Sequence, residues 1–275
     1  MEAGKAMIDQ EARTEAQKQW NALACGELPG DKSTVAYYDA VEADRFAQQA
    51  WTRDYFRYDQ FAGKKVLEIG VGQGTDLMQF AKAGADCYGI DITQNHLSLT
   101  QMNFNLRGKK VDLREADASK IPFTDNTFDA VYSFGVMHHI PEIDVVLSEV
   151  RRVLKPGGKV MIALYHKWSA FHLLNQIPRG LLKGRIMRMG YRNMISTVET
   201  GADGVERRPY VKLYGKGETR KLLRRVGFAV DDVSIHQLYA EHVIPDTWIK
   251  NKLNRPLPLS GAFGWYVAAK AMKEG

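Results

Sequence analysis

The sequence has few of the features that mark secreted, metal-binding or membrane-spanning proteins. Its two cysteines, Cys25 and Cys87, are too few for a disulfide framework, and no His/Cys cluster has the spacing of a zinc site. No apolar run reaches the roughly 18 residues of a membrane span, and residues 1–20 mix both charges without the apolar stretch of a secretory signal. We therefore expect a cytoplasmic protein with no transmembrane segment and no metal site.

The positive charge is concentrated in one segment. The formal net charge of the 275 residues is +6, and residues 179–225 alone hold 13 Lys/Arg against 4 Asp/Glu. The basic character therefore belongs to this segment and not to the chain as a whole. Two interpretations stay open: a solvated helical surface, or attraction to an anionic substrate or surface.

From residue 65 onwards, short apolar runs alternate with helical segments. The apolar runs, predicted to be strands, cover residues 65–70, 87–91, 111–117, 128–134, 159–165, 228–238 and 264–272. The predicted helices cover residues 75–84, 93–108, 142–154 and 217–227. We expect the glycines of KPGGK, residues 155–159, to end the third helix. Apolar strands that alternate with helices indicate a parallel sheet covered on both faces, so the sequence predicts a doubly wound α/β core.

Two segments lie outside this alternation. Residues 1–60 are mainly helical in pattern, with a loop at 25–34, and are predicted to form an N-terminal extension or cap. Residues 166–216 interrupt the alternation after strand five, on the side where ligands bind such sheets, and are predicted to form a lid or substrate segment. The predicted core is then 61–165, and 217–275 completes the sheet.

A glycine loop joins the first predicted strand to the first helix of the core. In VLEIGVGQG a buried strand runs into three alternating glycines, Gly70, Gly72 and Gly74. This spacing differs from the dinucleotide pattern G-x-G-x-x-G/A, and no Gly-Lys-Ser/Thr follows as in a phosphate-binding P-loop. The amides and the helix N-terminus suit a carboxylate or a phosphate. Asp91, at the end of the second strand, is placed to accept hydrogen bonds from a ribose diol.

Several motifs resemble, in order and spacing, those of class I S-adenosylmethionine (SAM)-dependent methyltransferases. VLEIGVGQG is similar to their first motif, GIDI to the acidic end of strand two, and READASKIPF to the segment that meets the adenine. FDAVYSFGVMHHIPE resembles the fourth-strand motif, and RRVLKPGGKVMIALY the helix and strand that follow. The nearest similarity is to the small-molecule branch that includes ubiquinone and menaquinone methyltransferases. The resemblance implies a Rossmann-like sheet of seven strands with an antiparallel last strand.

The resemblance also implies SAM as the cofactor. The amides after Gly70 would bind the methionine carboxylate, and Glu68 with the carbonyls near Ser133 would receive the ammonium. Asp91 would accept from the ribose hydroxyls and Asp117 from the adenine amine. The predicted cofactor-binding residues are Glu68, Gly70, Val71, Gly72, Gly74, Asp91, Ile92, Asp117, Ala118 and Ser133.

Candidate acceptor-site residues lie where the fourth and fifth strands end. The sulfonium methyl is already electrophilic, so the protein mainly has to align a nucleophile, and it needs a base only if the acceptor must lose a proton. The candidates are His138, His139, Tyr165 and His166. The alternative for the two adjacent histidines is helix capping and packing. Tyr37 and Tyr38, in the N-terminal segment, are candidates for substrate or lid contacts, with ordinary packing as their alternative.

The sequence favours a small-molecule acceptor over nucleic acid. The Asn/Asp-Pro-Pro-Tyr motif of amine-directed enzymes is absent after strand four, where the chain reads SFGV. A cytosine-C5 methyltransferase needs a nucleophilic cysteine beside a proline, and neither cysteine of this chain adjoins one. Residues 173–195 combine apolar residues with five Lys/Arg, which indicates an amphipathic lid, a peripheral membrane contact or a plain surface helix. Two other functions stay open: an RNA methyltransferase that uses the basic segment 179–225, and a SAM-binding protein without catalysis.

Overall fold

The computed structural model describes residues 14, 17, 18, 20, 21, 24, 26–197, 209–239 and 257–275. The strands are β1 Lys65–Ile69, β2 Asp86–Asp91, β3 Asp112–Glu115, β4 Phe128–Phe134, β5 Leu154–Tyr165, β6 Phe228–His236 and β7 Tyr266–Lys273. The α-helices are α1 Val35–Gln49, α2 Trp51–Phe56, α3 Thr75–Lys82, α4 Gln94–Leu106, α5 Ile143–Val153, α6 Ile177–Leu182, α7 Arg185–Ser196, α8 Lys216–Arg225 and α9 Ser260–Phe263. Short 3₁₀ turns cover Tyr58–Phe61 and Met137–His139, and a π-helical turn covers Phe171–Gln176.

The seven strands form one sheet in the order β3-β2-β1-β4-β5-β7-β6. All neighbouring pairs from β3 to β5 are parallel, whereas β7 runs antiparallel to both β5 and β6. This confirms the predicted doubly wound, mostly parallel sheet with an antiparallel last strand. The strand order reverses between β1 and β4, which opens a crevice at the C-terminal ends of these strands.

Alternate residues of the strands belong to two hydrophobic clusters, one on each face of the sheet. On β1, Leu67 packs into the cluster that contains α5 and α8, whereas Val66 belongs to the cluster with α1, α3 and α4. Successive side chains of a strand point to opposite faces, so a strand buried on both faces must be apolar throughout. This requirement explains the nearly continuous apolar runs in the sequence.

The prediction that KPGGK caps α5 was wrong. The helix ends at Val153, and Leu154 already has extended backbone angles and pairs with Phe128 as the first residue of β5. The glycines serve a bend inside the strand: Gly157 has a φ of 74°, and the pairing with β4 shifts register at this point. Glycine marks both helix ends and strand bulges, and here the β-pairing decides between them.

Helix α1 begins with a side-chain cap. Thr34 caps this helix by accepting a hydrogen bond at its Oγ1 from the amide of Tyr37, at 3.3 Å. Such a cap contributes about 1 kcal/mol to helix stability. Residues 1–13 and Cys25 of the predicted extension, and residues 198–208 of the predicted lid, lie outside the described residues.

After β5 the chain forms a helical hairpin from α6 and α7. Gly184 turns between the two helices with a φ of 60°, and Gly180 lets α7 approach closely, since a Cβ there would lie 2.8 Å from the sulfur of Met194. The role of residues 166–216 as a lid stays a prediction. In the described part of the chain, no helix has the length and apolar character needed to cross a membrane.

Candidate active site

A cavity of about 380 Å³ lies in the crevice at the ends of β1, β2 and β4. Its size is in the range of small-molecule and cofactor sites. Predicted residues that line it are Glu68, Gly70, Val71, Gly72, Asp91, Ile92, Asp117, Ala118, His139 and Tyr165. Residues that the sequence analysis missed include Trp20, Arg45, Gln73, Asp76, His96, Phe134 and Tyr266. The structure thus brings most of the predicted cofactor residues together with two of the predicted acceptor residues.

The glycine loop forms one wall of the cavity. Gly70 and Gly74 have φ values of 79° and 71°, and a side chain on either would clash, at 2.3 Å from Val136 Cγ2 and 2.8 Å from Thr100 Cγ2 respectively. These two glycines are therefore required for packing as well as for the backbone turn. Gly72 differs, because a Cβ there would meet no described atom within 4 Å. Its backbone lines open space, as a ligand-binding loop requires.

Asp91 ties the end of β2 to the glycine loop and to α4. Its Oδ1 accepts from the amide and the hydroxyl of Thr93 at 3.0 and 2.9 Å. Its Oδ2 lies 3.0 Å from Nδ1 of His96 and accepts a long bond of 3.4 Å from the amide of Gly72. The other ring nitrogen of His96, Nε2, is buried and has no protein partner in the described residues. Asp91 and His96 therefore form one polar unit in the cavity wall.

An ion pair joins α1 to the helix that follows the glycine loop. The Nε and Nη2 atoms of Arg45 donate to the two oxygens of Asp76 at 3.2 and 2.6 Å, and the hydroxyl of Tyr132 donates to the same carboxylate at 2.7 Å. Burial raises the pKa of Tyr132 well above its ordinary value, so its hydroxyl stays a donor. The guanidinium also lies 4.1 Å from the ring centroid of Phe134.

Two polar atoms of ionisable side chains in the same wall lack partners within the described residues. They are Oε2 of Glu68 and Nη1 of Arg45, and both are buried. Burial, followed by the charge of Asp76, raises the pKa of Glu68 well above its usual value. Buried charged groups are normally hydrogen-bonded, so unpartnered ones that line a cavity indicate a ligand with complementary groups.

Two predicted acceptor residues, His139 and Tyr165, line the cavity and have aromatic neighbours. Nδ1 of His139 donates to the carbonyl of Tyr210 at 2.9 Å, so in the neutral imidazole Nε2 carries the lone pair. Trp20 meets the ring of His139 edge-on with centroids 5.6 Å apart, and Tyr165 packs against Tyr266 at 5.6 Å. His139 and Tyr165 therefore line a part of the cavity that is rich in aromatic rings.

His138 and His166 lie outside the cavity lining. His138 is fully buried and stacks on Tyr165 at 3.8 Å, and burial lowers its pKa well below the ordinary value. Neither of its ring nitrogens has a partner in the described structure. His166 is held at Nδ1 by the carbonyl of Gly264 and faces a separate surface depression beside α8. The structure therefore does not bring these two histidines to the proposed acceptor.

Four more predicted residues pack beside the cavity and do not line it. The hydroxyl of Tyr37 donates to Oε1 of Gln73 at 2.8 Å, and that of Tyr38 donates to the carbonyl of Leu99 at 3.1 Å. Ser133 donates to the carbonyl of Ile69, and Gly74 packs against α4. Through these bonds the two tyrosines connect α1 to the glycine loop and to α4. Their rings belong to a small apolar cluster under α1.

The cavity is covered from the N-terminal side. Its lining includes Trp20, Gly26, Val41, Asp44, Arg45, Gln48 and Gln49, whereas none of the described residues 166–197 lines it. The hairpin after β5 meets the site indirectly, since Met194 and Ile195 pack in a cluster that Tyr165 contacts. Sequence patterns give no signal for this arrangement, because it depends on how α1 packs across α3 and α4.

The sheet order, the antiparallel β7 and a cavity built on a glycine loop and Asp91 define the class I methyltransferase fold. Residues 67–162 match the family described as "Methyltransferase domain". This part of the chain is therefore similar to methyltransferase domains in both sequence and fold.

Named relatives agree with this assignment. The ubiquinone biosynthesis O-methyltransferase of Bartonella bacilliformis is 28% identical over 140 residues, which cover 48% of this chain and 56% of the relative. The demethylmenaquinone methyltransferase of Streptomyces avermitilis is 35% identical over 127 residues, covering 45% and 53%. The chain thus matches about half the length of these relatives. A SAM-dependent methyltransferase from Methanosarcina mazei shares the fold with a TM-score of 0.58 and 20% identity, over 80% of this chain and 97% of that one.

Proposed function

We propose that this protein transfers a methyl group from SAM to a small, largely apolar acceptor molecule. The observation that carries the proposal is the cavity described above. Its lining combines the unpartnered atoms of Glu68 and Arg45 beside the glycine loop with His139 and Tyr165, which lie among aromatic rings. Donor recognition and acceptor binding would then share one continuous space.

The unpartnered atoms of Glu68 and Arg45 fit the amino-acid part of SAM. A carboxylate and a guanidinium nitrogen that lack partners in the described structure are complementary to an ammonium and a carboxylate, respectively. Asp91 and His96 would bind the ribose hydroxyls, with Nε2 of His96 as an acceptor in the tautomer that donates from Nδ1 to Asp91. Ile92 and Ala118 would pack against the adenine, and Asp117 would accept from its amine.

When bound, SAM supplies an electrophilic methyl on a sulfonium. The protein's own contribution is to exclude water and to hold the acceptor in line, which can lower the barrier by roughly 7–11 kcal/mol. Phe134, Tyr165 and Tyr266 wall the space in which an apolar acceptor would be held. His139 would take the acceptor proton at Nε2, because Nδ1 is committed to the carbonyl of Tyr210.

The relatives' names support a small-molecule acceptor, since one is named for ubiquinone biosynthesis and the other for demethylmenaquinone. The direct test incubates the protein with SAM carrying a labelled methyl and a cell extract, and then separates RNA, protein and small molecules. We expect label in the small-molecule fraction, and less of it with Asp91→Ala. Label confined to RNA would favour a nucleic-acid methyltransferase. SAM binding without any transfer would favour a non-catalytic protein.

A further inference from the structure

The helical hairpin of α6 and α7 ends in an exposed apolar tip. Leu182 and Met187 are 87% and 89% exposed, and Leu181 is 59% exposed. These three side chains lie within seven residues, on either side of the turn at Gly184. Single exposed apolar residues are ordinary on protein surfaces, but three of them on one turn indicate an interaction site.

The hairpin carries positive charge only. Residues 166–197 contain six Lys/Arg and no Asp or Glu. Within the described structure, Arg179, Lys183, Arg188 and Arg192 have no acidic partner, and all four are exposed. The hairpin therefore combines an aliphatic tip with four exposed cations that have no acidic partner among the described residues.

The inner side of the hairpin is already packed. Met194 and Ile195 are buried with Val211 and Leu213, and this cluster contacts Tyr165 of the cavity wall. The exposed residues of the tip are therefore separate from the residues that pack the hairpin against the rest of the protein. The base of the hairpin therefore contacts Tyr165, a residue that lines the cavity.

We propose that the hairpin tip binds the surface of an anionic lipid bilayer. Leu181, Leu182 and Met187 would enter the boundary between headgroups and acyl chains, while the surrounding cations would contact lipid phosphates. Each Lys or Arg near such a surface strengthens binding by about fivefold. A lipid-dissolved acceptor would then reach the cavity from the membrane side, a consequence that rests on the proposed function, whereas the binding itself does not.

Two other partners fit the surface less well. Single-stranded nucleic acid is bound by aromatic side chains that stack on bases, and the tip is aliphatic. A second copy of the chain would bring two positively charged surfaces together, and three side chains are far fewer than a stable interface needs. The combination of aliphatic tip and excess positive charge matches a bilayer that carries negative headgroups.

The test is flotation of the purified protein with vesicles, in the absence of SAM. The vesicles contain either phosphatidylglycerol and phosphatidylcholine in equal parts or phosphatidylcholine alone. We expect binding to the anionic vesicles, weakening as salt rises, and much less binding to the neutral ones. Met187→Glu should weaken binding about tenfold or more, because it removes an apolar side chain that would enter the bilayer and adds a negative charge. Arg179→Gln and Lys183→Gln should each weaken it about fivefold.

The matched control is Val145→Glu, which adds the same charge at an exposed apolar position on α5. It should leave binding unchanged. The proposal is overturned if the anionic vesicles do not bind the protein, or if Val145→Glu and Met187→Glu weaken binding equally. It is also overturned if light scattering shows a dimer that Met187→Glu dissociates, or if RNA and not vesicles binds in a manner that depends on Arg179 and Lys183. Methyl transfer in the extract assay is scored separately, so failure of either proposal leaves the other standing.

Discussion

Nη2 of Arg45 lies 2.6 Å from Oδ2 of Asp76 and joins α1 to the helix after the glycine loop. The pair is mostly buried, with side-chain exposures of 15% and 7%. Because Arg45 also lines the cavity, the N-terminal helix is part of the proposed cofactor site and not an addition outside it. Removing one partner would leave the other charge uncompensated in a buried position.

Asp76→Asn should therefore destabilise the fold by about 3–5 kcal/mol, as measured by urea unfolding. The control is Asp39→Asn, which breaks the pair of Arg107 with the exposed Asp39 and should cost no more than about 1 kcal/mol. Equal effects of the two substitutions would show that the buried pair has no special role.

His96→Phe should weaken binding of S-adenosylhomocysteine about tenfold. It keeps an aromatic ring at a buried site but removes the Nδ1 contact with Asp91 and the acceptor at Nε2. A hydrogen bond to a charged group contributes about 1.5–3 kcal/mol, which sets the scale. Isothermal titration calorimetry checks this, and an unchanged dissociation constant would remove His96 from the site.

Glu68→Gln should stabilise the ligand-free protein near neutral pH. Burial raises the folded-state pKa of Glu68 above the ordinary 4.5, so the native state binds a proton that the unfolded state releases. The stability associated with that proton is present below about pH 4.5 and is lost as pH rises through the folded pKa. Thermal unfolding from pH 4 to 8 should show a smaller decline for the variant. An unaltered decline would mean that Glu68 is not the responsible group.

The two adjacent histidines should respond differently to substitution. His139→Ala should lower the rate of methyl transfer by about 10²-fold or more if the acceptor must lose a proton, with SAM affinity unchanged. His138→Phe should retain activity, because His138 lies behind Tyr165 and does not line the cavity. It should not lower stability, since two buried nitrogens without described partners are removed. Loss of transfer in His138→Phe with normal folding would contradict this assignment.

The sequence was sufficient for features that depend on local spacing. The glycine loop, Asp91 and Asp117 follow strand ends directly, and the order of a parallel sheet brings strand ends together. The same local reasoning failed for KPGGK, since a glycine signal does not distinguish a helix end from a strand bend. His166, another candidate from the sequence, forms a β-bridge with Tyr214 and does not line the cavity.

Other parts of the site could not be found from the sequence. Arg45 and Asp76 are 31 residues apart, and nothing in either segment marks them as partners. No motif in the sequence of α4 marks His96 as a site residue, and its role becomes visible only from its contact with Asp91. These contacts arise when helices cross over the sheet edge, and that geometry is set by long-range packing and not by a motif.

The central claim is that Glu68 and Arg45 recognise the amino-acid part of SAM. The most direct test compares the affinities of S-adenosylhomocysteine and 5′-methylthioadenosine, which lacks that part, by calorimetry. The wild-type protein should prefer S-adenosylhomocysteine by about 10²-fold or more, from two charge-assisted contacts. Glu68→Gln and Arg45→Gln should each reduce this preference about tenfold while leaving the affinity for 5′-methylthioadenosine nearly unchanged. Equal wild-type affinities for the two ligands, or a preference that neither substitution reduces, would contradict the claim.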